Sequence, residues 1–401
     1  MKKRLFFAIH YLEIGGAETS LIGLLHALDY SQYDVDLFVY SHRGELMTLI
    51  PKEVRLLPEV AEYAQIERPM RQVVRDGYWR IALARLKARW KYSRYVRRTH
   101  PSEGSALFQY VDNEVVKVLP SLKHLGTYDL AVSFLTPHAI VLNKVEARKK
   151  AAWIHTDYST IDVDVAQELP VWAGYDHIVS ISDDVTKAFT TRFPSLTSKI
   201  VEIHNILSPD FVKERAALIP DEDIQKEMPH EPGVINLLSV GRFCYAKNYD
   251  NVPAICQLIN NHVNVRWYLI GYGADESLIR QRIVMAGMED KVIILGKKSN
   301  PYPFMKACDI YVQPSRFEGH SVTVREAQML GKPVVVTDYP TAKSQVSDGV
   351  DGIIVPMDNE GCAEGLLNFI QSEKRNKIIA SLSANSYGNE NEYLKLELLV
   401  V

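Results

Sequence analysis

Cysteine is scarce: Cys244, Cys256, Cys308 and Cys362 are the four in 401 residues, with no Cys-x-x-Cys pair and no histidine cluster beside them. That excludes a disulfide frame and a zinc ribbon, and predicts reduced packing residues in a cytoplasmic protein. Long apolar runs are missing too. No stretch of about 18 apolar residues occurs, so no membrane-spanning helix is expected. The opening Met1-Lys-Lys-Arg-Leu-Phe-Phe-Ala-Ile-His has five apolar residues in a row and no small-residue cleavage site after them, and reads as a buried strand rather than a signal peptide. The dinucleotide fingerprint Gly-x-Gly-x-x-Gly is absent, which counts against a nicotinamide-dependent oxidoreductase. There is no internal repeat and no low-complexity tract.

Acid is scarce in one segment. From Arg68 to Arg98 eleven Lys/Arg stand against a single acid, Asp76, so the segment carries about +10 in a chain of net charge −3. Tyr78, Trp79, Trp90, Tyr92 and Tyr95 lie among them. Two readings fit: an anionic membrane surface is the partner, or a solvated basic helix keeps its aromatic residues in the core. The remainder of the chain is acidic, which argues against nucleic acid.

A length of 401 residues suits two domains. Strand-like and helix-like segments alternate throughout, which predicts α/β architecture with parallel sheets covered by helices. Strands are expected at 5–9, 35–40, 130–134, 151–155 and 177–181, then at 235–240, 265–270, 292–295, 310–312, 334–337 and 352–355. Residues 60–125 read as a helical insertion carrying the basic segment. Pro209, Pro220, Pro229 and Pro232 cluster with charges and mark the boundary. The expectation is two Rossmann-like halves with a ligand cleft between them.

The motifs that carry chemistry follow strands. Glu318 and Glu326 are separated by seven residues, one on a loop after a short apolar strand and the other inside the next helix. The helix N-terminus between them, with its unpaired N–H groups and partial positive charge, favours a phosphate. A ligand with phosphate at its middle and hydroxyls at both ends fits, and a nucleotide sugar is such a ligand. Arg242 and, five residues on, Lys247 leave another strand and suit a diphosphate clamp: Arg by a two-pronged hydrogen bond, Lys as a point charge. Gly271-Tyr-Gly273 and Gly296-Lys297-Lys298 follow two more strands, and in a doubly wound domain such turns gather at one sheet edge. Gly15-Gly16-Ala-Glu-Thr opens a helix after the first strand and allows close backbone approach to a phosphate or sugar; an ordinary turn explains it equally. His155 ends a strand and suits a hydrogen bond to a sugar hydroxyl, although a satisfied structural histidine is the commoner outcome. Asp34-Val-Asp36 and Asp162-Val-Asp164 are weak metal candidates; the first lies within a strand, where alternation puts both acids on the solvent face.

In this order the motifs resemble those of the retaining glycosyltransferases of the GT-B fold, family 4, across nearly the whole chain, from Gly15-Gly16-Ala-Glu through Ser239-Val-Gly-Arg-Phe to Gly331-Lys-Pro-Val-Val-Val-Thr-Asp. The resemblance implies two Rossmann-like domains with parallel sheets facing across a central cleft. Residues 1–208 would be the acceptor side, 209–380 the nucleotide-sugar side, and 381–401 a helix returning to the first domain. It implies that Arg242 and Lys247 hold the diphosphate and stabilise the leaving group, and that Glu318 lies at the donor sugar near the reacting carbon. Glu326 would take the ribose hydroxyls, and the Val322 and Thr323 amides the phosphates. Gly16 would approach the diphosphate, His155 the sugar, and Lys297 would flank the base. No cofactor and no metal are implied; the partners are a nucleotide sugar, UDP by family frequency, and a glycan or lipid-linked acceptor. With the basic aromatic segment 68–98 expected to bring the enzyme to a lipid-linked acceptor, the expected setting is bacterial surface-polysaccharide assembly at the inner face of the cytoplasmic membrane. Many members have Phe-Gly shortly after the first acid, where this chain has His320-Ser321, so the donor sugar stays open. A non-catalytic scaffold subunit would share the fold but should have lost one of Arg242, Lys247, Glu318 or Glu326; all four are present.

Overall fold

Short runs of β-branched and aromatic residues, each followed by a helical segment, leave parallel pairing as the way to build a sheet, because a crossover helix returns the chain to the same end. The computed structural model describes residues 2–13, 15–101, 104–159, 161–318 and 321–400. The chain divides into two units, Met1–Ile206 with Asn389–Val401, and Leu207–Gly388.

The first unit holds seven parallel strands: β1 (Lys3–Ile9), β2 (Tyr33–Val39), β3 (Arg55–Leu56), β4 (Tyr128–Ser133), β5 (Ala147–Ile154), β6 (His177–Ser180) and β7 (Ile200–Glu202). Their order is β3-β2-β1-β4-β5-β6-β7. Central β1 runs Lys3↔Tyr33 to Ile9↔Val39 against β2 and is buried from Leu5 to Ile9, as expected of a strand covered on both faces. The edge strands β3 and β7 were not anticipated. Two and three residues are too short to show any alternation.

Between β3 and β4 lie the helices Met70–Arg75, Trp79–Thr99 and Ala106–Val115. Their inner residues, including Val73, Ile81, Ala84 and Val115, close over Phe6, Phe38 and Tyr128 in one core.

The Asp34/Asp36 expectation is corrected here. Asp36 is buried, accepts from Arg55 at 2.7 and 2.5 Å and from the Tyr128 hydroxyl at 2.6 Å, and ties β2 to the edge strand β3; only Asp34 is exposed. Asp164 is also committed, capping the helix Val165–Ala173 and accepting from the Tyr110 hydroxyl.

The second unit has six parallel strands: β8 (Ile235–Val240), β9 (Val265–Ile270), β10 (Val292–Gly296), β11 (Ile310–Gln313), β12 (Val334–Thr337) and β13 (Ile353–Val355). Their order is β10-β9-β8-β11-β12-β13, with β8 central and paired Ile235↔Val265 through Val240↔Ile270. The helix Lys374–Ala384 stays with this unit. From Asn389 the chain rejoins the first unit as a 3-10 stretch (Glu390–Leu396) and a one-turn helix (Glu397–Val400), rather than as one continuous helix from 381. The Asn389 amide donates to the Asn205 carbonyl at 3.0 Å, and Glu392 accepts from the His204 N–H at 3.0 Å.

Candidate functional site

Because β8, β9, β10 and β11 are parallel neighbours, the loops leaving their C-terminal ends emerge at one edge of the second sheet, the edge where open α/β sheets bind ligands. The loops after β8 and β9 are laced by backbone: Phe243 N–H donates to the Tyr272 carbonyl at 2.9 Å and Asp275 N–H to the Phe243 carbonyl at 3.2 Å. This fit needs glycine. Gly271 has φ +154°, and a Cβ there would lie 1.9 Å from the Gly241 carbonyl oxygen; at Gly273 it would lie 2.2 Å from that of Phe243. Gly271→Ala is expected to lower stability by at least ~2 kcal/mol, since neither backbone can yield. Urea unfolding checks it; an unchanged midpoint would show that the two loops separate without cost.

The loops after β8 and β11 are clamped in turn. Arg316 reaches both oxygens of Asp250 (2.9 and 2.8 Å) and the Tyr245 carbonyl (2.6 Å), while Asn248, at φ +60°, donates to the Pro314 carbonyl at 2.9 Å. This clamp brings Lys247 Nζ to 2.6 Å from Glu318 Oε1. The same oxygen accepts from Gln313 Nε2 at 2.8 Å and Ser315 Oγ at 2.6 Å. Three donors therefore fix one carboxylate oxygen, and Oε2 has no partner among the described residues. Thr341 Oγ1 holds the Glu318 carbonyl at 2.9 Å.

The helix Val322–Met329 begins four residues later with no side-chain cap on its amides. The Val322 and Thr323 N–H groups belong to its first turn, where no intrahelical acceptor exists. Gln313 ties this end to the carboxylate: its Oε1 accepts from Thr323 Oγ1 at 3.4 Å and from the Tyr311 hydroxyl at 2.8 Å. Gln313 and Ser315 were missed by sequence reasoning, although a glutamine closing an apolar strand was the available signal. Gly319 and His320 lie outside the described residues.

Glu326 is buried, and one oxygen accepts from the Tyr302 hydroxyl at 2.7 Å. Burial pushes its pKa up to about 7, against the smaller lowering by that hydrogen bond. The sign follows: between about 4.5 and 7 the folded state keeps a proton that the unfolded state has lost, so stability falls as pH rises through that window. Glu326→Gln is expected to flatten this part of the stability–pH curve and raise stability at pH 8. Denaturation midpoints across that range test it, and a slope unchanged by the substitution would contradict it.

Arg242 is exposed, with no ion-pair partner among the described residues. Lys297, also exposed, sits 5.3 Å from the centroid of Tyr272 at the same sheet edge.

In the first unit, Gly16 and His155 follow the C-terminal ends of β1 and β5. Gly16 opens the helix Gly16–Ala27, and none of the described residues lies within 4 Å of where its Cβ would be, so packing against them does not require glycine there. At Gly15 a Cβ would meet the Glu18 carboxylate at 2.1 Å. The His155 ring packs 4.8 Å from Phe134, and its buried Nε2 has no hydrogen-bond partner among the described residues; burial lowers its pKa to about 3, so it is neutral. The structure thus joins Lys247, Glu318 and, through Gln313, Thr323. It places Arg242 and Lys297 on the same edge without contact to them, puts Glu326 against Tyr302, and leaves Gly16 and His155 in the other unit.

Two Rossmann-like units of parallel strands, with this cluster of loops on the second, define a GT-B fold. Comparison with solved structures agrees over nearly the full length. The chain is similar to Anabaena Alr3699/HepE in complex with UDP and glucose, with a TM-score of 0.64 and 16% identity, covering 99% of this chain and 98% of that one.

The second unit matches a family by sequence as well: residues 220–383 fit the profile of the glycosyl transferases group 1. Among curated relatives, the lipopolysaccharide core biosynthesis mannosyltransferase LpsB of Rhizobium meliloti is 29% identical over 127 residues, 31% of this chain and 35% of that protein. The N-acetylgalactosamine-N,N'-diacetylbacillosaminyl-diphospho-undecaprenol 4-alpha-N-acetylgalactosaminyltransferase of Campylobacter jejuni is 30% identical over 144 residues, 35% of this chain and 39% of that protein. The matched region spans little more than a third of the length of these two relatives.

Proposed function

We propose that this protein transfers a sugar, with retention of anomeric configuration, from a nucleotide diphosphate donor to a glycan or lipid-linked acceptor. The observation that carries this reading is the Lys247–Glu318 pair beside the helix start at Val322: a cation, an anchored carboxylate whose second oxygen meets no partner among the described residues, and first-turn amides with no side-chain cap. Arg242 and Lys247 bind the diphosphate and stabilise the negative charge that grows on it as the bond to the anomeric carbon breaks. The Val322 and Thr323 amides add the helix N-terminus to that stabilisation. Together these groups supply the positive charge the leaving group needs, and the reading includes no metal or other cofactor. Glu318 accepts hydroxyls of the donor sugar near the reacting carbon and is not assigned as a covalent nucleophile.

The acceptor oxygen bonds to the anomeric carbon on the face the diphosphate leaves, and its proton passes to a diphosphate oxygen. Glu326 accepts the ribose hydroxyls, and Lys297 with Tyr272 flanks the base. The UDP and glucose bound by Alr3699/HepE support UDP as the nucleotide, and the diphospho-undecaprenol in the name of the Campylobacter jejuni relative supports a lipid-linked acceptor. We place the activity in bacterial surface-polysaccharide synthesis at the inner face of the cell membrane.

Calorimetric titration with UDP, uridine and NAD tests the nucleotide part directly. UDP should bind more tightly than uridine, and NAD not at all. Binding of NAD without UDP would overturn the reading.

A further inference from the structure

The helix Trp79–Thr99 carries eight Lys/Arg and no Asp or Glu. Its residues Ile81, Ala82 and Ala84 belong to the core of the first unit, and Ala88 is buried as well. On the opposite side Trp79, Leu83, Leu86 and Trp90 stand 59, 64, 52 and 59% exposed. At ~100° per residue these four fall within an arc of about 60°, a single apolar stripe along three turns. Arg80, Lys87, Arg94 and Arg98 run down one flank and Arg89 lies on the other. Arg94 stacks 4.9 Å from the Trp90 ring, so the cations and the stripe form one surface. Lys87 and Lys91 are turned to Glu114 at 2.9 and 2.5 Å, whereas Arg80, Arg89 and Arg97 have no acidic partner among the described residues. Tyr92 and Tyr95 pack against Tyr110, so the two tryptophans alone of the segment's large aromatic rings are turned out.

We propose that this face docks on an anionic lipid bilayer, the stripe entering the headgroup–acyl boundary and the arginines meeting the lipid phosphates. An exposed apolar row costs a protein solubility and is retained where something covers it. A second copy of the same face would set Arg80, Arg89, Arg94, Arg97 and Arg98 against the same five cations, which argues against self-association. Tryptophan, leucine and arginine on one amphipathic face are the residues that suit a membrane interface. The surface lies outside the proposed transfer site and rests on that reading only for what the membrane would carry.

Co-sedimentation with vesicles of phosphatidylglycerol and phosphatidylcholine, against phosphatidylcholine alone, tests it. Full-length protein should bind the anionic vesicles and release them as salt rises, with about a fivefold weaker partition for each arginine neutralised. Its tryptophan emission should shift to the blue; Trp153, Trp172 and Trp267 are buried, so the signal reports Trp79 and Trp90. The variant with Trp79→Ser, Leu83→Ser, Leu86→Ser and Trp90→Ser should lose at least tenfold in binding and all of the shift, while its UDP titration matches that of the parent. Equal vesicle binding by the variant, or none by the parent, would overturn the proposal. So would a dimer of the parent, seen by sedimentation velocity and abolished in the variant, since a second copy would then be the occupant; so would retention by an acidic protein column in preference to anionic vesicles. A parent that binds vesicles but not UDP would sink the transfer reading and leave this one standing.

Discussion

Glu318→Ala is expected to lower sugar transfer by at least ~100-fold while UDP still binds within a few-fold of the parent. The first half follows from the proposed role: a carboxylate held at the donor sugar would act in the transition state, and groups of that kind are worth ~10²–10³ in rate. The second half follows from the division of labour, because Arg242 and the helix amides at Val322 remain. The substitution also strands Lys247, which is four-fifths covered, without its carboxylate partner, and leaves the Gln313 and Ser315 donors aimed at nothing. A further loss of about 1–3 kcal/mol in stability is expected from those unmet donors. Steady-state turnover, UDP titration and a urea curve on the same preparation separate the effects. A fall in UDP affinity as large as the fall in turnover would reassign Glu318 to nucleotide binding.

Removing the cation should act differently. Lys247→Met keeps the apolar stem and deletes the charge, so uridine should bind as before while UDP binds at least tenfold more weakly, the loss of one charge-assisted contact of about 1.5–3 kcal/mol. Transfer should drop further than binding of the intact donor, by ~10²-fold or more, because negative charge grows on the diphosphate as the bond to the anomeric carbon breaks. Glu318 would retain its bonds to Gln313 and Ser315, so the carboxylate should stay in place. The ratio of UDP to uridine affinity is the diagnostic quantity. A ratio equal in parent and variant would show that Lys247 serves Glu318 alone.

Much of the second unit is legible in the sequence. Its strands are nearly continuous apolar runs ending in glycine or charge, and parallel order then brings Arg242, Lys247, Lys297 and Glu318 to one edge. Contacts between residues far apart in sequence were not legible. Lys247 meets Glu318 across 71 positions, and nothing local in either loop announces the pairing. Gln313 is a strand residue whose role appears only when Glu318, Thr323 and Tyr311 are seen around it. The Tyr302 hydroxyl on Glu326 joins separate helices. In the first unit the edge strands were too short to detect. Asp36 looked like a surface acid because alternation carries no information about the Arg55 and Tyr128 that meet it. The composition of the basic segment was plain, but whether its tryptophans turned inward or outward depended on which face of the helix the core took.

The most direct test of the central claim is turnover of a panel of UDP- and GDP-sugars by the parent and by Glu318→Ala, with undecaprenyl-diphosphate-linked glycans as acceptors and NMR of the product anomer. The account predicts release of UDP from one donor, an axial-to-axial or equatorial-to-equatorial transfer that preserves the donor configuration, and loss of both signals in the variant. A product of inverted configuration, or turnover that Glu318→Ala leaves intact, would contradict it.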